Sequence, residues 1–177
     1  MASAYQTALL SVAGGAPHRK RPRGEMARDL IDRLAAFDGK HVAPLRTLAR
    51  SNVPSRDLLR FLPGPHEVAA SWVLKARAEG NGLDEAIARS VFETLPKLTQ
   101  PDAILHALQM VQFAPIADPD AIRPFLAVKR TLHRVWALDA LSRVAPDEAH
   151  PLIEAALDDP SAAVRARARA LATGGGG

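Results

Sequence analysis

The sequence feature that most constrains the fold is a proline-led phrase that occurs twice. PDAIRPFLAV covers residues 119–128 and PDEAHPLIEA covers residues 146–155, at a spacing of 27. A second pair, ILHAL at 104–108 and ALDAL at 137–141, has a spacing of 33. Recurrence at this length indicates a repeat of two helices, and one helix pair cannot bury its apolar face without a neighbour. The chain is therefore predicted to stack similar helix pairs.

Proline and glycine divide the chain into stretches of helical length, with apolar residues at steps of three and four. Ala, Leu and Val dominate the apolar content and only 5% of residues are aromatic, which favours close-packed helices over sheets. We predict an all-α fold with helices at 25–37, 43–50, 54–62, 65–79, 83–95, 101–113, 119–129, 131–144, 147–157 and 161–172. Asp118 and Ser161 are expected to cap helices, and Pro65, Pro101 and Pro146 to lie where a missing N–H costs nothing.

The stretch PLIEAALDDPSAAVRARARAL, residues 151–171, resembles a bacterial HEAT repeat. It contains a leucine-rich helix, the turn Asp-Asp-Pro at 158–160, and Val164 and Arg165 opening the next helix. The resemblance is good over this unit, fair over residues 101–157 and weak before residue 65. It implies a short right-handed α-solenoid of stacked antiparallel helix pairs with a curved, non-catalytic binding surface.

Charge is unevenly distributed along the chain, whose net charge is +4 at pH 7. Residues 1–60 hold 11 basic and 5 acidic side chains, whereas residues 61–177 hold 12 basic and 14 acidic ones. We divide the chain into a flexible basic arm (1–24), a HEAT-like domain (25–172) and a glycine tail (173–177). The arm either binds phosphates or an acidic surface, or only solvates the terminus; its candidate residues are Arg19, Lys20, Arg21 and Arg23.

Both tryptophans begin the same pattern of steps of three and seven, which places each trio on one helix face. The trios are Trp72 with Lys75 and Glu79, and Trp136 with Asp139 and Arg143; Ala103, His106 and Met110 occupy the matching positions between them. Trp and Arg are typical interface anchors, so we predict a partner-binding groove lined by Trp72, Lys75, His106, Trp136, Asp139 and Arg143. The alternative is that the tryptophans fill the core between repeats, with a charge pair at its edge.

The last helix has an apolar stripe of Val164, Ala168 and Leu171, with Arg165 and Arg169 together on another side. These arginines either solubilise the exposed face of a capping repeat or form a basic patch.

Because Arg outnumbers Lys 18 to 5, we attribute the composition to a GC-rich, bacterial genome.

Several kinds of chemistry are absent from the sequence. There is no Cys, which excludes disulfides, Cys-ligated zinc and a thiol nucleophile. The six His residues form no HExxH motif or i, i+4 pair, and neither a phosphate-binding glycine loop nor a GxSxG elbow occurs. We expect no catalytic residue, metal or cofactor. With no secretory signal and no apolar run of roughly 20 residues, we also expect a cytoplasmic protein without membrane contact.

The expected function is a non-catalytic adaptor or scaffold that binds a protein or peptide along the inner helices, with a homodimer through the ends of the stack compatible. The alternative is a nucleic-acid-binding protein related to the HEAT-like DNA alkylpurine glycosylases. Resemblance to those enzymes would assign Trp136 and Asp139 to contact a damaged nucleotide. The slight acidity of residues 61–177 argues against that alternative.

Overall fold

The computed structural model describes residues 23–174, without the side chains of residues 23 and 25–27. Within this range the chain forms ten α-helices and no strand, so the all-α prediction is confirmed for it. The helices are α1 (Arg23–Ala35), α2 (Ala43–Ala49), α3 (Ser55–Leu58), α4 (Glu67–Asn81), α5 (Glu85–Thr94), α6 (Pro101–Met110), α7 (Pro119–Ile122), α8 (Thr131–Val144), α9 (Pro146–Ala156) and α10 (Ala162–Ala172). Short 3₁₀ segments continue α3, α5, α6 and α7, over Leu59–Phe61, Leu95–Lys97, Val111–Phe113 and Arg123–Leu126.

The largest departure from the predicted helix ends is in α7, which was expected to run to residue 129. Its α-helical part stops at Ile122 and a 3₁₀ segment follows. Pro124 lies in that segment, and a proline both lacks the N–H of an α-helical hydrogen bond and crowds the preceding turn. At the other end of the chain, α1 begins two residues earlier than predicted.

The predicted helix caps have different outcomes. The carboxylate of Asp118 accepts a hydrogen bond from the N–H of Asp120 at 2.9 Å, as expected of a cap. Ser161 occupies the capping position of α10, but its side chain makes no capping hydrogen bond. The Ser161 N–H instead donates to the side chain of Asp159 at 2.7 Å, so the aspartate of the preceding turn holds this helix start.

The even-numbered helices pack on one another in chain order, α2 on α4, α4 on α6, α6 on α8 and α8 on α10. The odd-numbered α5, α7 and α9 pack beside them, with α9 contacting both α8 and α10. The even-numbered helices carry fully buried alanines, and small side chains allow helix axes to approach closely; these alanines include Ala70, Ala103, Ala107, Ala137, Ala140 and Ala168. One apolar cluster extends from α1 to α10.

Arg77 joins α4 to the end of α2 and the loop that follows it. Its guanidinium donates to the carbonyls of Leu48, Ala49, Ser51 and Val53, at 2.6 to 3.1 Å, and to the Ser55 hydroxyl at 3.0 Å. The last carbonyls of a helix have no partner within the helix. Arg77 therefore satisfies the C-terminal end of α2 and orders residues 50–54.

Glu67 joins the start of α4 to the start of α6. Its fully buried carboxylate accepts hydrogen bonds from the backbone N–H of Gly64, at 3.1 Å, and of Thr99, at 2.8 Å. It also accepts from the Thr99 hydroxyl, at 2.9 Å, and from the backbone N–H of Gln100. These donors compensate a charge whose burial would otherwise be costly.

Among the helices of residues 23–174, none has the length and hydrophobicity of a transmembrane segment.

Candidate functional site

Two arginines share one fully buried carboxylate on α8. Asp139 is 0% exposed, and its Oδ2 accepts from Nε of Arg143, one helical turn later, at 3.1 Å. Arg167, on α10, donates from Nη2 to Oδ1 of the same carboxylate. The arginine side chains remain 22% and 24% exposed. This group, the Asp139 cluster, therefore presents two guanidiniums against one carboxylate and carries one excess positive charge at the protein surface.

Trp136 completes the Asp139 cluster. The Cζ of Arg167 lies 5.8 Å from the centroid of the indole ring, within the range of a cation–π contact. The indole is partly buried and packs against the core. Arg167 was not among the predicted site residues, because it lies 28 positions from Asp139 and no local spacing relates the two.

A second group lies where α4 meets α6. The Nζ of Lys75 lies 2.5 Å from Oε1 of Glu79, and the Ser71 hydroxyl lies 2.9 Å from Nδ1 of His106. Burial, together with the positive charge of Lys75, lowers the pKa of His106 to about 4. His106 is therefore neutral at pH 7, and Ser71, fully buried, bonds to the Val68 carbonyl and the imidazole.

The structure brings the predicted groove residues together in two sets. The first set, Lys75 and His106, lies where α4 meets α6. The second set, Asp139 and Arg143, lies on α8. Among the described residues, no hydrogen bond or ion pair joins the first set to the second. Both tryptophans are partly buried against the core, so each contributes core area as well as exposed surface. Asp139, being buried, orients arginines rather than facing solvent.

Two of the three matching positions on α6 belong to the core rather than to the surface around His106. Ala103 and Met110 are both fully buried. Both belong to the core cluster, and α6 packs against both α4 and α8. Of the three matching positions on α6, only His106 is partly exposed.

The basic residues outside the Asp139 cluster have different positions. Arg19, Lys20 and Arg21 lie outside the described residues, and Arg23 begins α1. Arg165 donates to the carbonyls of Asp159, at 2.7 Å, and Pro160, at 3.0 Å, so it stabilises the turn before α10. Arg169 is exposed.

A cavity of about 320 Å³ lies beside Arg143, where the C-terminal ends of α8 and α10 meet α9. Arg143 and His150 contribute its charged or ionisable lining, and Ile153 and Leu171 contribute apolar walls. Its volume is at the small end of the range for ligand clefts, roughly 300–1,000 Å³. Among the described side chains, no group of three or more His, Asp or Glu is arranged to hold a metal ion.

Comparison with known protein families, curated proteins and solved structures finds no match for this chain. The function proposed below therefore rests on the chain's own residues.

Proposed function

We propose that this chain is a non-catalytic HEAT-like repeat module that binds a protein or peptide partner as a cytoplasmic adaptor or scaffold. In this proposal the helix pairs stack into a short right-handed α-solenoid, and the role needs no cofactor. Support for the repeat arrangement comes from the packing of each even-numbered helix on the next one. A homodimer through the ends of this row is compatible with the same role.

The observation that carries the proposal is the Asp139 cluster. Its buried carboxylate holds two arginine side chains that are both partly exposed, and one of them covers a tryptophan ring. Arginine and tryptophan are enriched among the residues that dominate binding energy. Side chains already held in place lose less conformational entropy on binding, which is the usual advantage of a preorganised site.

The burial of Asp139 also favours a binding role over nucleotide excision. A carboxylate that is 0% exposed and paired with Arg143 and Arg167 is not free to contact a nucleotide. Nucleic-acid binding without catalysis is the alternative, and it would use positive charge spread along the surface. In the chain as described, many arginines are instead engaged by carboxylates or carbonyls; they include Arg77, Arg123, Arg134, Arg143, Arg165 and Arg167.

The test is affinity capture from a bacterial lysate, with and without nuclease treatment, followed by titration of the purified partner. The partner is expected to bind the intact chain whether or not nuclease is present. The double variant Trp72→Ala/Trp136→Ala should weaken binding at least about tenfold, as expected when interface anchors are truncated. Circular dichroism must first show that the double variant remains helical.

A matched control is Phe37→Ala, which removes a partly buried aromatic ring that packs on the core and follows α1 in the chain. Its binding should remain within about twofold of the intact chain, since less than a third of interface positions usually matter. Recovery of nucleic acid alone, or of proteins lost after nuclease treatment, would replace the adaptor proposal with nucleic-acid binding.

A further inference from the structure

We infer that the cavity beside Arg143 binds an acidic side chain of the partner peptide, with a neighbouring apolar side chain of that peptide against Ile153 and Leu171. The inference rests on the proposed function and names the chemistry of the partner. The cavity lies next to the predicted groove and is distinct from it. Arg143 is the one cavity-lining residue that also belongs to the predicted groove.

Arg143 retains hydrogen-bond donors that Asp139 does not use. Its Nε and Nη2 are directed at Asp139, at 3.1 and 3.5 Å, and among the described residues its Nη1 has no acceptor. A guanidinium has five N–H donors in a rigid planar fork, and this geometry suits a second carboxylate. Asp139 fixes the orientation of the fork without neutralising the cluster, since it also accepts from Arg167.

The walls of the cavity carry basic side chains. The two ionisable side chains that line the cavity, Arg143 and His150, are both bases. His150 also lies 3.4 Å from Glu154, and both side chains are mostly exposed, so water screens this pair at the cavity rim. The walls are thus complementary to a carboxylate, and such complementarity gives specificity and register to an interface.

The cavity combines basic and apolar walls. Ile153 and Leu171 supply apolar walls in addition to the bases, and Leu171 is only partly buried in the free protein. A small anion would leave these walls in contact with water. A peptide segment with adjacent acidic and apolar side chains would cover both parts, as is usual in sites with an apolar surface and a few placed polar groups.

The dipoles of the three helices around the cavity have opposing effects on a bound anion. The C-terminal carbonyls of α8 and α10 disfavour an anion, whereas the start of α9, where Pro146 lines the cavity, favours one. The carbonyl of Leu141 already accepts from the Ala145 N–H, and that of Leu171 from the Gly174 N–H. Because these carbonyls are occupied by local hydrogen bonds, the full charge of Arg143 determines the preference.

The test is selection of peptides from a random displayed library against the immobilised chain, followed by titration calorimetry with synthetic peptides. Enriched peptides should carry Asp or Glu next to an apolar residue. Replacing that Asp or Glu with its amide counterpart should weaken binding about tenfold to a hundredfold, the usual worth of a hydrogen bond between charged groups. Affinity should also fall as salt concentration rises.

Two pairs of variants locate the site on the chain. Arg143→Gln should weaken binding of the selected peptide by the same factor as the amide substitution in the peptide. Arg169→Gln changes an exposed arginine of α10 and should leave the affinity for the peptide within about twofold of the intact chain. His150→Glu places a negative charge at the cavity without disturbing the core, because His150 is exposed. Its matched control is Ala163→Glu, an exposed position that does not line the cavity.

Several results would overturn the cavity assignment. They are enriched peptides without acidic residues, the absence of any enriched peptide, equal losses for Arg143→Gln and Arg169→Gln, or Arg143-dependent binding of a short single-stranded DNA in place of peptides. A captured partner that still binds the Arg143→Gln and His150→Glu variants would overturn only this assignment. The proposed function fails separately, if no nuclease-resistant protein partner is recovered.

Discussion

Arg167 on α10 covers the indole of Trp136 on α8, with its Cζ 5.8 Å from the ring centroid. The same guanidinium donates to Asp139, so one side chain of the last helix is held by two residues of α8. Val164 and Ala168 bury the apolar face of α10, and Arg167 adds a polar connection to it. The Asp139 cluster therefore connects the predicted partner surface to the packing of the last helix.

The first prediction concerns the charge that organises this cluster. Asp139→Asn should lower the free energy of unfolding by about 3 kcal/mol, because it leaves two guanidiniums without their counter-ion. The value is at the low end for broken buried pairs, since both arginines also reach water. Urea denaturation followed by circular dichroism measures it. Asp158→Asn, an exposed position in the turn before α10, is the control, and equal stability of the two variants would contradict the prediction.

A second prediction follows from the five hydrogen bonds of Arg77. Arg77→Lys keeps the charge but cannot reproduce the planar fork, so partly buried carbonyls at the end of α2 and in the following loop lose their donors. We expect a loss of about 2 kcal/mol in unfolding free energy. Hydrogen exchange should become faster in residues 43–55 and change little in α8 to α10. Arg60→Lys, at an exposed position, should alter neither quantity.

The third prediction uses the buried carboxylate of Glu67. Burial raises its pKa, but the hydrogen bonds from Gln100, Gly64 and Thr99 outweigh burial and hold the pKa below its usual value of 4.5. A carboxyl with a lowered pKa stabilises the fold above its unfolded pKa, and this contribution is lost as pH falls through the folded pKa. Unfolding free energy should therefore decline as pH decreases below about 4.5.

In Glu67→Gln this part of the acid sensitivity should disappear, because the amide does not titrate. The variant should also be about 2 kcal/mol less stable at pH 7, since an amide NH₂ replaces an oxygen that accepted a backbone N–H. Urea denaturation at pH 7 and at pH values below 4.5 provides both numbers. An unchanged pH profile in the variant would show that Glu67 is not the responsible group.

His106 provides the fourth prediction, in a different pH window. Its pKa is lowered to about 4 in the folded chain, against about 6.5 in an unfolded chain. As pH falls from 6.5 toward 4, the unfolded state binds a proton that the folded state does not, so stability decreases. The loss between pH 7 and pH 5 should be about 2 kcal/mol.

His106→Gln should remove this loss while keeping a polar partner for the Ser71 hydroxyl. The matched control is His150→Gln, which changes a mostly exposed imidazole on α9. Stability is measured by urea denaturation at both pH values, and NMR titration of the His106 ring measures its pKa directly. A His106 ring that titrates near 6.5 in the folded protein would contradict the prediction.

The helices of this protein were largely predictable because their signals are local. Apolar steps of three and four, and prolines such as Pro101 and Pro146 at helix starts, depend only on residues nearby in sequence. The pairing of Asp139 with Arg143 is equally local, since residues four apart share a helix face. The α-helix predicted to continue to residue 129 stops at Ile122, and Pro124 in the following 3₁₀ segment explains the change.

The sequence by itself determined the helical content, most helix boundaries and the shared faces of Trp72 with Lys75 and of Trp136 with Arg143. Only the tertiary structure decided which of those faces are buried, because burial depends on which helices become neighbours. It made Ala103 and Met110 core residues, placed Arg167 on Asp139 from 28 positions away, and formed the cavity beside Arg143 from three helices. Contacts between distant parts of the chain leave no periodic signal in a single sequence, because they arise from packing rather than from local spacing.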